Sequence, residues 1–358
     1  MRIGLICPYS LTLPGGVQGQ VLSLARALRL RGHDVRVLGP CDGPPPDPGV
    51  TPLGDSLPAA ANGSVAPIAP DPSAQLRMIR ALRDERFDVV NVHEPFAPGV
   101  AQTAVVFKSQ PLVGTFHAAG ESAAYRWLNP VVRWMSRRLD ARIAVSEEAR
   151  AMAVTAVGGE YEVLFNGVEL DEPERMASTR ASAPAVLFVA RHEERKGLAV
   201  LLEAMTELPP DVRLWVAGEG PETARLRIRA AGDPRIEWLG RISEAEKVER
   251  LRTAQVFCAP SLGGESFGVV LLEAMAAGAA VVATEIPGYA RVARPDRDAV
   301  LVPPGDPMAL ARALREVLAD EHLRSSLVAS GRSRTAEFSM ERLAGHYEAI
   351  FERVLRRR

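Results

Sequence analysis

The sequence has few cysteines, almost no net charge and no long apolar run. Cys7, Cys41 and Cys258 are an odd, widely spaced set without a Cys-x-x-Cys, so there is no basis for a disulfide framework or a cysteine zinc site, and a reducing compartment fits best. A net charge of -1 excludes nucleic-acid binding through bulk positive charge. No stretch approaches the roughly 18 consecutive apolar residues of a membrane span. The opening run from Met1 to Cys7 meets Pro8 too early for a secretion signal. A cytoplasmic protein, soluble or peripheral on the inner face of the cell membrane, is therefore expected. The dinucleotide fingerprint Gly-x-Gly-x-x-Gly is missing after the first apolar run, as are serine and cysteine nucleophile motifs. The lone Asp-x-Asp, Asp296-Arg297-Asp298, sits in a polar stretch and is expected on the surface, so no metal is implied.

What is present is length and alternation. A chain of 358 residues, 47% hydrophobic and 24% charged, suits two domains, each with its own core. Short β-branched runs alternate with helical patterns, the mark of parallel sheets covered on both faces. Strands are expected at 3–7, 35–38, 89–92, 112–115 and 143–145, then at 185–189, 212–216, 236–239, 256–259, 281–283 and 300–302. A helix from about Val17 should end at Gly32. Residues 39–71, rich in Pro and Gly, predict a long surface loop, and the polar segment 171–184 a linker. The fold class is α/β, with a doubly wound parallel sheet in each half. Residues 340–358 predict an amphipathic helix with Leu343, Tyr347, Ile350 and Val354 in a stripe; it either packs on a domain or contacts a membrane.

The most specific stretch runs from Gly263 to Gly278, a glycine-rich turn entering a small-residue helix. Glycines here let backbone approach a diphosphate. The N–H groups of Phe267, Gly268 and Val269, next to Ser266, would point at it, and the helix dipole favours its charge. Glu265 and Glu273 lie eight residues apart, which along a helix is about 12 Å. That matches the span from a sugar ring across two phosphates to a ribose. Other candidates fall at strand ends, where open parallel sheets bind ligands. Tyr9, the turn Gly15-Gly16 and Gln18 follow the first strand. His93-Glu94 and His117 end two more. Arg191 and Lys196 follow the first strand of the second half, where a forked guanidinium and a compact ammonium suit a diphosphate. Gly218 and Arg241 belong to the same edge.

Taken together these residues resemble the retaining glycosyltransferases of the GT-B fold, in which two Rossmann-like domains flank a cleft, and within them family 4. The pair Glu265 and Glu273 in Gly264-Glu265-Ser266-Phe267-Gly268, with Asn166-Gly167-Val168, carries that likeness. Cys7-Pro8-Tyr9-Ser10, Pro14-Gly15-Gly16-Val17-Gln18, Asn62-Gly63-Ser64-Val65-Ala66 and His93-Glu94-Pro95 are similar to the phosphatidyl-myo-inositol mannosyltransferases.

The resemblance implies an acceptor domain at 1–168, a nucleotide-sugar domain at 169–339 and a C-terminal helix at 340–358 that packs back on the first. It implies a nucleotide-sugar donor, GDP-mannose, with no tightly bound cofactor, and phosphatidylinositol as acceptor. Glu273 would hold the ribose, Arg191 and Lys196 the diphosphate, His117 and Glu265 the sugar, and Gly16 would bring N–H groups beside the phosphates. Tyr9, Gln18, Asn62 and Ser64 would face the acceptor. The chain departs from the family's basic lipid-contacting patch, having no Lys or Arg between Val65 and Leu76. An anionic membrane surface would then be met by Arg77, Arg80, Arg83 and Arg86, or by a helix opening at Asn129-Pro130. In that helix Val131, Val132, Met135 and Leu139 face inward, Arg133 and Arg137 fall opposite and Trp134 lies at the border. The alternatives are a family 4 transferase acting on a soluble or glycan acceptor, and a nucleotide-sugar-binding protein without turnover.

Overall fold

A computed structural model describes residues 1–61, 64–117, 129–170, 183–265 and 267–357. The chain divides into two compact units, one of Met1–Gly167 with Met340–Arg358, the other of Val168–Ser339.

The first unit is built on a seven-stranded parallel sheet ordered β3-β2-β1-β6-β7-β8-β9. Its strands are β1 (Arg2–Ile6), β2 (Asp34–Gly39), β3 (Val50–Pro52), β6 (Val89–His93), β7 (Leu112–Phe116), β8 (Ala141–Ala144) and β9 (Glu162–Val163). β6 and β7 are buried at every residue, the reason their sequences are apolar without alternation. One face carries the helices Pro72–Asp84 (α2), Val100–Phe107 (α3), Asn129–Ser136 (α4) and Glu147–Val157 (α5), packed through Met78, Val100, Met135 and Ala149. Asp71 caps α2 by accepting from Ala74 N at 2.9 Å, with Pro72 in its first turn. The other face carries Gly16–Leu30 (α1) and the C-terminal helix Met340–Arg356. All four residues of the C-terminal stripe, Leu343, Tyr347, Ile350 and Val354, are buried in this unit's core, which leaves none of them to contact a membrane.

Segment 39–71 is not a loop throughout. It contributes β3 to the sheet edge and a two-stranded antiparallel hairpin, β4 (Leu57–Ala61) and β5 (Ser64–Ile68). Prolines at 52, 58 and 67 are compatible with strands here because edge and two-stranded positions leave N–H groups outside the ladder. The hairpin is tied to the loop after β1 by Ser10 N, which donates to Pro67 O at 2.9 Å, and by a bridge between Tyr9 and Ile68.

The second unit holds a six-stranded parallel sheet ordered β12-β11-β10-β13-β14-β15. The strands are β10 (Ala185–Val189), β11 (Arg213–Ala217), β12 (Ile236–Gly240), β13 (Val256–Ala259), β14 (Ala280–Thr284) and β15 (Val300–Val302). Its core gathers Phe188, Leu201, Leu214, Val282 and Leu314. Asp298, expected on the surface, is 1% exposed. Its carboxylate accepts from Arg294 Nε at 2.7 Å and Ser330 Oγ at 2.7 Å, so a paired cation and a hydroxyl replace the water that a polar loop suggested.

Candidate functional site

In each sheet the chain runs outward from its first strand, then returns to the other side of it. The reversal lies between β1 and β6 in the first unit and between β10 and β13 in the second. At such a point the loops leaving the strands' carboxyl ends diverge, and ligands of open α/β sheets bind there.

In the second unit the loops after β10 and β13 bring charged groups together. Glu193, buried, accepts from Arg195 Nε at 2.9 Å and lies 3.3 Å from Arg191 Nη1. Lys196 Nζ donates to Glu265 Oε1 at 2.5 Å; Arg195 Nη1 and Ser261 Oγ lie 3.3 and 3.4 Å from the same oxygen. Three cations thus share two carboxylates, and an oxyanion would complete the neutralisation. The close loop approach depends on Gly197, whose φ is +69° and where a Cβ would fall 1.9 Å from Pro260 O. Gly218, after β11, likewise packs against Ala190 O.

The turn beyond Glu265 leads into the helix Val269–Ala277 through Gly268. Gly268 has φ +79°, and a Cβ on it would stand 2.7 Å from the Tyr289 ring, so this entry to the helix demands glycine. Phe267 is buried with its ring 5.6 Å from that of Phe338. Among the described residues the N–H groups of Phe267, Gly268 and Val269 have no protein acceptor. They lie at the helix's positive end. About one turn into the helix, Glu273 meets Lys247 Nζ at 3.1 Å, and that ammonium also holds Glu244 at 2.7 Å. Burial raises the Glu273 carboxyl above the usual range, with Lys247 opposing it. Burial also acts to lower Lys247, but the two glutamates outweigh it and hold the ammonium above its ordinary value. Lys247, Glu193 and Arg195 were not singled out from the sequence. Lys247 and Glu273 are 26 residues apart, so nothing local in the sequence signals that contact.

In the first unit the same edge is nearly uncharged. Gly15 precedes α1, and a Cβ on Gly16 would meet nothing within 4 Å, so backbone there is open to a ligand. Gln18 is buried and donates to Ser10 O at 3.3 Å, and Tyr9 pairs with the hairpin. Ser64 begins the second hairpin strand. Asn62 and Ser266 lie outside the described residues.

His117, at the end of β7, stacks on His93 with ring centroids 5.1 Å apart, and its Nε2 is 2.8 Å from His93 Nδ1. Burial pushes the His117 imidazole down to about 4. Burial, then His117, pulls His93 well below the ordinary value as well. Both rings are neutral at pH 7. Glu94 adopts φ +45°, rare for a residue with a Cβ, and its carboxylate accepts the His117 N–H at 2.7 Å.

α4 buries Val132 and Met135 but leaves Val131 56% and Trp134 46% exposed. Val131 therefore falls outside the inward stripe expected for it, because the helix turns its neighbour Val132 to the core. Arg133 and Arg137 line an open cavity of about 370 Å³ together with Arg142, Thr155 and Gly158. Among the described residues neither Arg133 nor Arg137 has an ion-pair partner. Arg80 is exposed beside Asp84, while Arg77 donates to Leu53 O.

Two such sheets, each with its own switch point, are the architecture of the GT-B fold, and the family matches make the chain a glycosyltransferase. Residues 183–320 match the family model described as glycosyl transferases group 1, and 14–172 match Glycosyltransferase Family 4. The fold is shared with Anabaena HepE solved with UDP and glucose (TM-score 0.76, 18% identity, 98% of this chain and 99% of that one). It is also shared with sucrose-phosphate synthase of Thermosynechococcus elongatus (TM-score 0.75, 21% identity, all of both chains). Phosphatidyl-myo-inositol mannosyltransferase of Mycobacterium leprae is 40% identical over 99% of this chain and 97% of its own length. That of Propionibacterium freudenreichii is 37% identical over 84% of this chain and 81% of its own. The chain belongs to the phosphatidyl-myo-inositol mannosyltransferase family and is a hexosyltransferase.

Proposed function

We propose that this enzyme moves mannose from GDP-mannose to an inositol hydroxyl of phosphatidylinositol with retention at the anomeric carbon. The names of the M. leprae and P. freudenreichii relatives support the sugar and the acceptor, and the UDP bound to HepE supports a nucleotide-linked donor. The observation that carries the reading is the junction of Lys196 with Glu265, one turn ahead of a helix whose first N–H groups are unpaired.

In this reading Arg191, Lys196 and the N–H groups at Phe267 to Val269 stabilise the charge that grows on the leaving diphosphate. Glu273 holds the ribose, and Lys247, which opposes the effect of burial on that carboxyl, orients it. Glu265 and His117 fix the hexose. The leaving phosphate oxygen takes the acceptor proton on the face from which it departs, so positioning rather than a carboxylate pair supplies the rate. Arg133, Arg137 and Arg142, with exposed Val131 and Trp134, suit an anionic lipid surface. A second reading keeps the donor but gives it a soluble acceptor, because residues 65–76 carry no cation.

The test is incubation with GDP-mannose or UDP-glucose and with phosphatidylinositol vesicles or free inositol, following nucleotide release and the anomer formed. The α-mannolipid from GDP-mannose is expected. Nucleotide release with free inositol and none with the vesicles would replace the lipid acceptor by the soluble one.

A further inference from the structure

The histidine pair at the end of β6 and β7 is the inner end of a buried chain of hydrogen bonds that begins on the C-terminal helix. Tyr347 Oη lies 3.2 Å from Thr115 Oγ1, and Thr115 Oγ1 donates to Asn91 Oδ1 at 2.9 Å. Asn91 Nδ2 lies 3.1 Å from His93 Nε2, and His93 Nδ1 lies 2.8 Å from His117 Nε2. Tyr347, Thr115, Asn91 and His93 are each 2% exposed or less, so bulk solvent does not supply alternative partners.

The chemistry of the groups orients the chain. With the Asn91 carbonyl oxygen accepting from Thr115, the amide nitrogen faces His93, and an amide nitrogen only donates. His93 Nε2 must then be bare. A neutral imidazole bare at Nε2 carries its proton on Nδ1, which donates to His117 Nε2. His117 Nε2 is thereby bare in turn, and its proton sits on Nδ1. Thr115, donating to Asn91, accepts from the Tyr347 hydroxyl, so Tyr347, Thr115, Asn91, His93 and His117 form one unidirectional run.

We infer that this run locks His117 in the Nδ1–H tautomer and aims a single donor at the ligand side. Asn91 and His93 are positioning residues, and Tyr347 extends the control to a helix that follows the second unit in sequence. Among the described residues nothing bonds His117 Nδ1. Resting on the reading that places His117 on the hexose, the inference adds that the histidine meets an acceptor oxygen of the sugar, and that the opposite tautomer would present a lone pair to it.

The tautomers are read directly from long-range ¹⁵N–¹H spectra of the full chain labelled at histidine, near pH 7.5. The chain has 6 histidines, and spectra of His93→Gln and His117→Gln assign the two of interest. Both rings are expected to be protonated at Nδ1 and bare at Nε2. Asn91→Asp replaces the amide donor by a second acceptor, and the His93 ring is then expected to gain a proton at Nε2. With GDP-mannose as donor, turnover of Asn91→Asp should fall about tenfold or more, as for loss of one oriented hydrogen bond, while GDP affinity stays within about twofold of the unmodified chain. Asn91→Leu, which removes the polarity without reversing it, should lose less.

A His117 ring protonated at Nε2 in the unmodified protein overturns the inference, as does a His93 ring unchanged in Asn91→Asp. If instead the rings behave as expected and His117→Gln turns over normally, the tautomer assignment stands and the placement of His117 on the sugar fails.

Discussion

The two sheets present the same architectural edge with opposite chemistry. At the second unit's switch point three cations and two carboxylates are held within ion-pair distance, and the backbone N–H groups ahead of the Val269 helix add to the positive field. Beside the first unit's switch point, at the ends of β6 and β7, two neutral imidazoles, an amide and two hydroxyls are joined by hydrogen bonds in the core. The difference follows from what each can afford to exclude. In the proposed reading a diphosphate would balance the charged groups, whereas a buried polar run at the end of β6 and β7 must be satisfied from within. On that proposal the first edge fixes direction, and the second supplies charge.

Removing charge from the second edge should have the largest effect. Lys196→Ala and Arg191→Ala are expected to lower turnover by about a hundredfold or more, the scale of losing one preorganised electrostatic contact in a transition state, and to weaken GDP binding together with it. Steady-state kinetics beside calorimetry would show this. Near-normal kinetics in both variants would remove the phosphate role from this cluster.

Next comes the backbone that shapes that edge. Gly268→Ala places a Cβ 2.7 Å from the Tyr289 ring at a φ of +79°. It should destabilise the second unit by about 1–3 kcal/mol and lower its melting temperature, leaving the first unit's melting unchanged. A neutral outcome would mean the turn relaxes without loss.

The first edge is sharpened by pH. The folded pKa of His117 is about 4 against an ordinary 6.5, and His93 is shifted in the same direction. Depressed values mean that the unfolded chain takes up protons before the folded one does, so stability rises with pH across this window. The contribution is fully present above pH 6.5 and is lost as pH falls through 4. The first unit should melt at lower temperature at pH 5 than at pH 7, and His117→Asn should flatten that difference. Equal pH dependence in the variant would show that the loss arises from other groups.

The smallest effect concerns the surface. Charge reversal of Arg133 and Arg137 should weaken co-sedimentation with anionic vesicles at low salt and leave GDP binding unchanged, because exposed charges act over only about one Debye length, roughly 10 Å. Unaltered vesicle binding in the double reversal would move the membrane contact elsewhere on the chain.

How much of this was visible beforehand depends on whether the signal is local. The apolar runs located the central strands to within about a residue or two, since burial on both faces of a parallel sheet leaves little choice of residue. The stripe of Leu343, Tyr347, Ile350 and Val354 was equally plain, though the surface it covers is set by α1 and the sheet. The segment 39–71 hid β3 and the hairpin behind its prolines, as edge strands tolerate a residue that central strands exclude. At the candidate site, Arg191, Lys196, Glu265 and Glu273 stood out by residue type beside glycine turns. Lys247, Glu193 and the run from Tyr347 to His93 did not, because each gains its meaning from a partner on another element. Asp298 shows the converse: a polar neighbourhood in sequence became a buried ion pair once Arg294 and Ser330 met it.

The division between a charged donor edge and an orienting neutral edge is tested most directly by calorimetry of GDP against Glu273→Ala, Lys196→Ala and His117→Ala, each paired with its turnover. GDP binding should weaken strongly in the first two and stay near that of the unmodified chain in His117→Ala, whose turnover nonetheless collapses. Loss of GDP binding in His117→Ala, with full binding retained in Glu273→Ala and Lys196→Ala, would contradict the account.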